Sequence, residues 1–196
     1  MIKMFLIFVA VGLLFLLAAW FMVPMFLEQP KYKILKKEGQ FEIRSYEDIL
    51  MSSVRVTGSQ YQALRKGFRP LVKYISGKER DGEKISMTAP VIQSTSDRKE
   101  SFTVSFSMPS KYQVDNLPES KNSEIFFEKV GSYSAAVVRF SGRANEKLLD
   151  LKSNELRQWI EANGYSSVST AKYLFYNDPS TPGFLRRNEV MIIIDK

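Results

Sequence analysis

VRVTGSQYQALRKGFRPLVKYISG, Val54–Gly77, is the stretch from which the fold is read, because the chain makes the same moves again at Val138–Gly164. Val54-Arg55-Val56-Thr57-Gly58 is echoed by Val138-Arg139-Phe140-Ser141-Gly142, and Tyr74-Ile75 by Trp159-Ile160, at an offset of 84 to 85 residues. Each copy reads as an alternating strand, a Thr/Ser-Gly break, an amphipathic helix and a glycine stop, with more strands after it. A unit with one apolar helix face cannot bury that face alone, so two copies are expected to pair their sheets around a common core. Chance agreement between two short strand-helix joints is the alternative.

Outward from that stretch, Phe41–Tyr46 alternates as a strand and Met51–Thr57 continues the first sheet. Gly58 breaks the sheet, and Ser59 is placed to cap the next helix. In that helix Tyr61, Leu64, Phe68, Leu71, Val72 and Ile75 recur at spacings of three and four, which predicts one buried stripe. Gly67 permits a close approach, and Pro70 costs a backbone hydrogen bond. Arg65, Arg69 and Lys73 form a row of cations on the opposite face, each about 6 Å from the last along the axis. On composition alone that row is a solvated helix face.

Lys84–Ile92 and Ser101–Met108 read as further strands, Lys111–Ser123 as the polar connector between halves, and Glu28–Lys37 as a short charged lead into the first strand. The second half is expected to run as strands Glu124–Val130 and Tyr133–Phe140, a helix near Asn145–Asn163, and strands near Ala171–Tyr176 and Asn188–Asp195. Asn177–Arg187, with two prolines and a glycine, is long enough to be a lip over a groove. Glu79, Asp81 and Glu83 alternate on a loop, where a solvated turn is the plainer reading than a weak cation site.

Met4–Leu27 is 24 residues without a charge. As a helix it would span about 36 Å, enough to cross a bilayer with some tilt. An uncleaved single-pass anchor is favoured over a signal peptide, since the run is long and no small-x-small site precedes Glu28. The three-residue head favours export of the following domain, while Lys31, Lys33, Lys36 and Lys37, taken literally, keep it cytoplasmic. The expected division is an anchor and connector over 1–30 and a folded domain over 31–196, with halves at about 31–110 and 124–196.

The chain of 196 residues has neither cysteine nor histidine. That removes disulfides, Cys/His metal sites, thiol nucleophiles, imidazole bases and a His axial ligand. The net charge of +7 is spread along the chain, and nothing matches a nucleic-acid-binding signature. No GxSxG, P-loop or GxGxxG is present, so an enzyme is not expected and no catalytic residue is named.

FEIRSY at 41–46, Gly67-Phe68, Lys84–Val91, Phe140-Ser141-Gly142 and Arg186–Val190 together resemble the SOUL/heme-binding protein family, from Tyr32 to Ile194. The resemblance implies an α+β fold, a distorted antiparallel β-barrel with two flanking helices built from two similar halves. It further implies a tetrapyrrole, heme or another, held non-covalently in an apolar groove beside the first helix. The family's proposed propionate partners fall on Arg65 and Lys73, with Arg69 between them and Leu64, Phe68 and Val72 as the apolar platform. A histidine that part of the family carries inside FEIR-x-Y is Ser45 here, so binding without a His axial ligand is the mode this sequence supports. Other apolar anions, a lipid, or an interaction domain with a vestigial pocket remain alternatives. The motif residues also have structural readings: MTAPV as a core strand, and Glu189 with Arg44 or Arg187 as an ion pair pinning strands.

Overall fold

The computed structural model describes residues 8, 12, 26–78, 80, 82–95 and 100–195. Among the described residues from Phe26 onward, ten strands and two α-helices follow in the order β1 (Tyr32–Glu38), β2 (Phe41–Tyr46), β3 (Ile49–Thr57), α1 (Gln60–Ile75), β4 (Val91–Thr95), β5 (Ser101–Ser107), β6 (Phe126–Val130), β7 (Tyr133–Phe140), α2 (Glu146–Ala162), β8 (Ser166–Ser167), β9 (Lys172–Phe175) and β10 (Asn188–Asp195). Strand pairing is antiparallel throughout, in the order β1-β2-β7-β10-β9-β4-β5-β3-β6, with β8 attached to β10.

That order is a palindrome once β1 is set aside. Exchanging β2 with β6, β3 with β7, β4 with β9 and β5 with β10 returns the same sheet, as a local twofold between β4 and β9 requires. Gly58 and Gly142 follow the last strand residues before the two helices, both with positive φ, 127° and 115°. Such angles suit glycine because it has no Cβ to clash.

Directly paired residues share a face of a sheet, so the register shows where the layers lie. Val54, Val104, Gln93, Tyr173, Val190 and Val138 form one continuous cross-strand row. Val54 and Val104 lie under α1, and Tyr173, Val190 and Val138 lie under α2. Both helices therefore cover the same face. The other face carries Met51, Ile92, Ala135, Val137, Leu174 and Met191 in a separate apolar cluster.

The sheet is open, which corrects the expected distorted barrel: its path ends at β1 and β6, which are not neighbours in it. Both edge strands are guarded, β1 by Lys33, Lys36, Lys37 and an irregular register at Leu35, β6 by Glu128 and Lys129. Charged, irregular edges discourage further pairing.

Other boundaries differ from the sequence reading. The lead-in Glu28–Lys37 is mostly strand β1, and Lys84–Ile92 is strand only from Val91, with one bridge at Thr88. Among the described residues no helix is long and apolar enough to cross a membrane. Met4–Leu27, apart from Phe8, Gly12, Phe26 and Leu27, lies outside those residues, as do Glu79 and Asp81.

Candidate functional site

α1 is set by its closest point of contact with the sheet. A Cβ added to Gly67 would lie 2.6 Å from Val104 Cβ and 3.2 Å from Val54 Cγ2. Glycine within a helix costs about 1 kcal/mol relative to alanine, and here it lets the helix axis approach the strands. The buried line is accordingly Gln60, Ala63, Gly67, Leu71, Tyr74 and Ile75. Gln60 is anchored to the sheet through Gln93, which accepts from Gln60 Nε2 at 2.6 Å and donates to the Gln60 carbonyl at 2.9 Å. Ser59 stands at the N-cap but makes no side-chain capping bond. At the other end the Arg80 guanidinium donates to the Tyr74 carbonyl at 3.0 Å, a cation placed where helix carbonyls need one.

The expected buried stripe is thereby corrected. Leu71 and Ile75 are buried, but Tyr61 is 63% exposed and Phe68 38%, while Leu64 and Val72 are half-buried. At about 100° per residue, these four project from one flank of the helix, between the contact with the sheet and the outer face. Phe68 meets Phe106 edge-on at 5.5 Å between centroids, so the flank is continuous with the core cluster beneath. Arg65, Arg69 and Lys73 are exposed on the outer face, and the Arg65 guanidinium lies 5.8 Å from the centre of the Tyr61 ring. Of the six residues singled out in the sequence, Leu64, Phe68 and Val72 form an apolar ledge and the three cations line its rim. Tyr61 joins the ledge, although the spacing rule had placed it inside. The signal was Gly67, which decides which side of the helix faces the sheet.

The opposite face of the sheet is packed with aromatic and charged side chains among the described residues. There Tyr32, Tyr46, Tyr133 and Tyr176 line a gap of about 10 Å³, about enough for one water. The surrounding space holds a buried charge network. Arg44 donates to both carboxylate oxygens of Glu189, at 2.7 and 3.0 Å, to Glu42 at 2.8 Å and to the Tyr46 hydroxyl at 3.1 Å. Arg187 adds two bonds to Glu189 Oε1, at 3.0 and 2.8 Å, and Tyr176 donates to Oε2 at 2.8 Å. Burial alone would raise the Glu189 pKa, but hydrogen bonds and charge from Arg44, then Arg187, hold it below the ordinary value. Burial pushes Tyr46 up to about 12, against the pull of Arg44, and Tyr176 well above its usual range. Both phenols are thereby held protonated at neutral pH; Tyr176 donates to Glu189, while the Tyr46 hydroxyl accepts from Arg44. The ion pair anticipated between Glu189 and Arg44 or Arg187 involves both arginines at once.

A cleft of about 360 Å³ lies elsewhere, lined by charges of both signs including Glu28, Lys31, Asp48 and Lys129. None of the six predicted residues lines it. The loop Asn177–Arg187 leans on the entry to α2, where the Gly142 amide donates to the Gly183 carbonyl at 2.9 Å. Among the described residues no group of His, Cys, Asp and Glu is arranged to hold a metal ion.

The family model described as SOUL heme-binding protein matches residues 27–193. The chain is 31% identical to heme-binding protein 2 of Mus musculus over 183 residues, covering 85% of this chain and 86% of the relative. It is 30% identical to heme-binding protein 1 of Xenopus laevis over 167 residues, covering 81% and 86% respectively. Its fold is similar to the C-terminal domain of EcmrR, with a TM-score of 0.61 over 80% of this chain and 98% of that domain. The sequence identity there is 15%, so that likeness concerns fold alone.

Proposed function

The chain belongs to the SOUL heme-binding protein family, and on that premise we propose that it carries or buffers heme or a related tetrapyrrole on the flank of α1. The observation that carries this reading is the ledge of Tyr61, Leu64, Phe68 and Val72 beside Arg65, Arg69 and Lys73. An amphipathic, dianionic macrocycle needs an apolar platform and charge-assisted contacts at its edge. The ledge supplies the first. Arg65 and Arg69, about 6 Å apart along the helix axis, supply the second for two carboxylates, and Lys73 extends the row. These residues fit such a ligand without a histidine, so contact and charge rather than an iron bond supply the affinity. Bound heme would bring its own redox-active iron; the chain's residues hold and orient the ring.

The charge-free run Met4–Leu27 supports a membrane tether, which would keep the carrier at a bilayer surface, with the folded domain exported. The test is an absorbance titration of the full chain in detergent micelles with hemin and, in parallel, metal-free protoporphyrin. Saturable binding of both at similar affinity, weakened at least about tenfold, or 1.4 kcal/mol, by Arg65→Glu with Lys73→Glu, is the expected result. Unchanged affinity in the double variant sinks the site. Displacement of porphyrin by a fatty acid would shift the reading to a more general carrier of apolar anions.

A further inference from the structure

The loop between β9 and β10 is stitched tightly around an apolar tip. Asn177 Oδ1 accepts from the Arg187 amide at 2.7 Å, and the Arg187 carbonyl accepts from the Tyr176 amide at 3.3 Å, closing the base. Inside the loop, Arg186 donates to the carbonyls of Thr181, at 2.7 Å, and Pro179. Thr181 is buried, and a 3₁₀ turn covers Gly183–Leu185. The result is that Phe184 is held 77% exposed and Leu185 49% exposed. Two large apolar side chains fixed outward on an ordered turn have no structural use within the described residues.

The base of this loop sits where the charge-free run ends. Arg187 Nη1 donates to Gln29 Oε1 at 3.3 Å. The residues just before Gln29 are part of the body: Leu27 packs against the apolar cluster opposite the helices, and Glu28 bridges to Thr88. The Glu28 carbonyl also accepts from the Ala89 amide at 2.9 Å, and Glu28 Oε1 accepts from the Ser110 amide at 2.7 Å. Phe26, one residue earlier, is 78% exposed. Leu27 and Glu28 are therefore part of the folded body. Leu27 to Gln29 spans at most about 7 Å, and Arg187 to Phe184 at most about 11 Å. The headgroup layer on one side of a bilayer is about 5–8 Å thick, so the first length stays within it and the second is enough to reach across it.

We propose that Phe184 and Leu185 form a second membrane contact, dipping into the interfacial layer of the bilayer that the run 4–27 enters. This rests on the tether reading above. The two contacts would fix the orientation of the body, since a single tether leaves rotation about its axis free. Within the loop Asp178 offsets Arg186, and Arg187 is paired with Glu189, so the contact is apolar and does not depend on anionic lipid.

The chain has no cysteine, so single-cysteine labelling is free of background. The full chain, reconstituted in phosphatidylcholine vesicles with and without phosphatidylglycerol, would carry an environment-sensitive fluorophore at Phe184→Cys, at Phe8→Cys within the run, or at Leu151→Cys on the exposed side of α2 as control. The expected result is quenching by nitroxide-labelled lipid at 184, none at 151, and the same degree in both lipid mixtures. Iodide quenching of 184 as strong as that of 151 overturns the contact. Shielding of 184 from iodide without lipid quenching also overturns it, because the tip would then pack against protein. The label at 8 separates the two readings: lipid quenching at 8 with water access at 184 removes only the docking loop. Water access at 8 with lipid quenching at 184 removes only the tether.

Discussion

α1 and α2 sit on the same face of the sheet in symmetric places, yet their exposed sides have nothing in common. Gly67 and Ser153 mark the middle of the two buried lines. Counted from them, the offset is 86, which also matches the N-caps Ser59 and Asn145 and replaces the echo of Tyr74-Ile75 in Trp159-Ile160 read from the sequence. At that offset Tyr61, Leu64, Phe68 and Val72 of α1 correspond to Lys147, Asp150, Asn154 and Gln158 of α2, all four exposed. Arg65, Arg69 and Lys73 correspond to Leu151, Glu155 and Trp159. Trp159 is engaged instead, stacking on Phe41 at 5.2 Å and donating to Glu38 at 2.9 Å. Duplication of the fold thus left one helix with an apolar ledge and a cation row and the other with a solvated polar flank. This difference points to a role for the α1 flank that packing alone does not supply.

The opposite face is equally lopsided, and the largest expected effect lies there. The strand register that equates Val54 with Val138 places Thr103 where half two has Glu189. Glu189 is fully buried among Arg44, Arg187 and Tyr176. Glu189→Ala would leave buried Arg44 with Glu42 as its carboxylate partner and take from Arg187 the carboxylate it grips, and should lower stability by about 3 kcal/mol; Thr103→Ala should cost well under about 1 kcal/mol. Urea unfolding of both variants checks the contrast. Because the Glu189 carboxyl is held below its ordinary value, its contribution is complete above pH 4.5, the unfolded value, and is lost as pH falls through the folded one. Acid should therefore lower the urea midpoint of the wild type more steeply than that of Glu189→Gln.

A smaller effect separates the helix centres. Gly67→Ala places a methyl 2.6 Å from Val104 and should cost about 1–3 kcal/mol as α1 is lifted from the sheet. Ser153→Ala removes the bond to the Leu149 carbonyl, at 2.7 Å, and the hydroxyl contact with Tyr173, while gaining helix propensity, and should cost no more than about 1 kcal/mol. Equal losses in thermal unfolding would mean that Gly67 does not set the approach of α1.

The ledge can be erased by writing α2 onto α1. Tyr61→Lys with Phe68→Asn should reduce hemin and protoporphyrin affinity alike by at least about tenfold, or 1.4 kcal/mol. The stability cost should stay near 1 kcal/mol, the worth of the lost edge contact with Phe106. The reverse graft, Lys147→Tyr with Asn154→Phe, should gain no porphyrin binding, because Leu151, Glu155 and Trp159 cannot take the place of the cations. Binding by that graft would show that an apolar flank alone suffices.

What the sequence disclosed follows from how local the deciding forces are. β2 falls on the alternating FEIRSY, and β7 and β10 fall on the segments read as strands, where burial on both faces makes the apolar run nearly continuous. β1 was hidden because an edge strand rich in lysine looks like a solvated lead-in. The open sheet was hidden because closure depends on whether β1 meets β6, a pairing no local pattern encodes. In the site, spacing identified which residues of α1 are apolar but not which way they turn. Close contact of Gly67 with Val54 and Val104 rotates Tyr61 and Phe68 outward, and that contact joins residues almost 40 positions apart. The double arginine clasp on Glu189 was only half visible for the same reason: Arg44 and Arg187 come from opposite ends of the chain.

The smallest contrast is at the helix starts, where the copied strand-glycine joint ends in two different caps. Ser59 and Asn145 both stand at the N-cap. Asn145 Oδ1 accepts from the Leu148 amide at 2.9 Å, satisfying one of the four amides a helix start leaves unpaired. Ser59 makes no such bond, and α1 begins instead on Gln60, whose side chain and carbonyl are both tied to Gln93 of β4. One helix is thus capped by its own chain and the other is fastened to the sheet. Asn145→Ala should cost about 1 kcal/mol, and Ser59→Ala close to nothing. Gln93→Leu should instead loosen the start of α1, detectable as faster amide exchange over its first turn while α2 is unchanged. If Ser59→Ala costs as much as Asn145→Ala, the serine caps in solution and the two halves begin their helices by the same device.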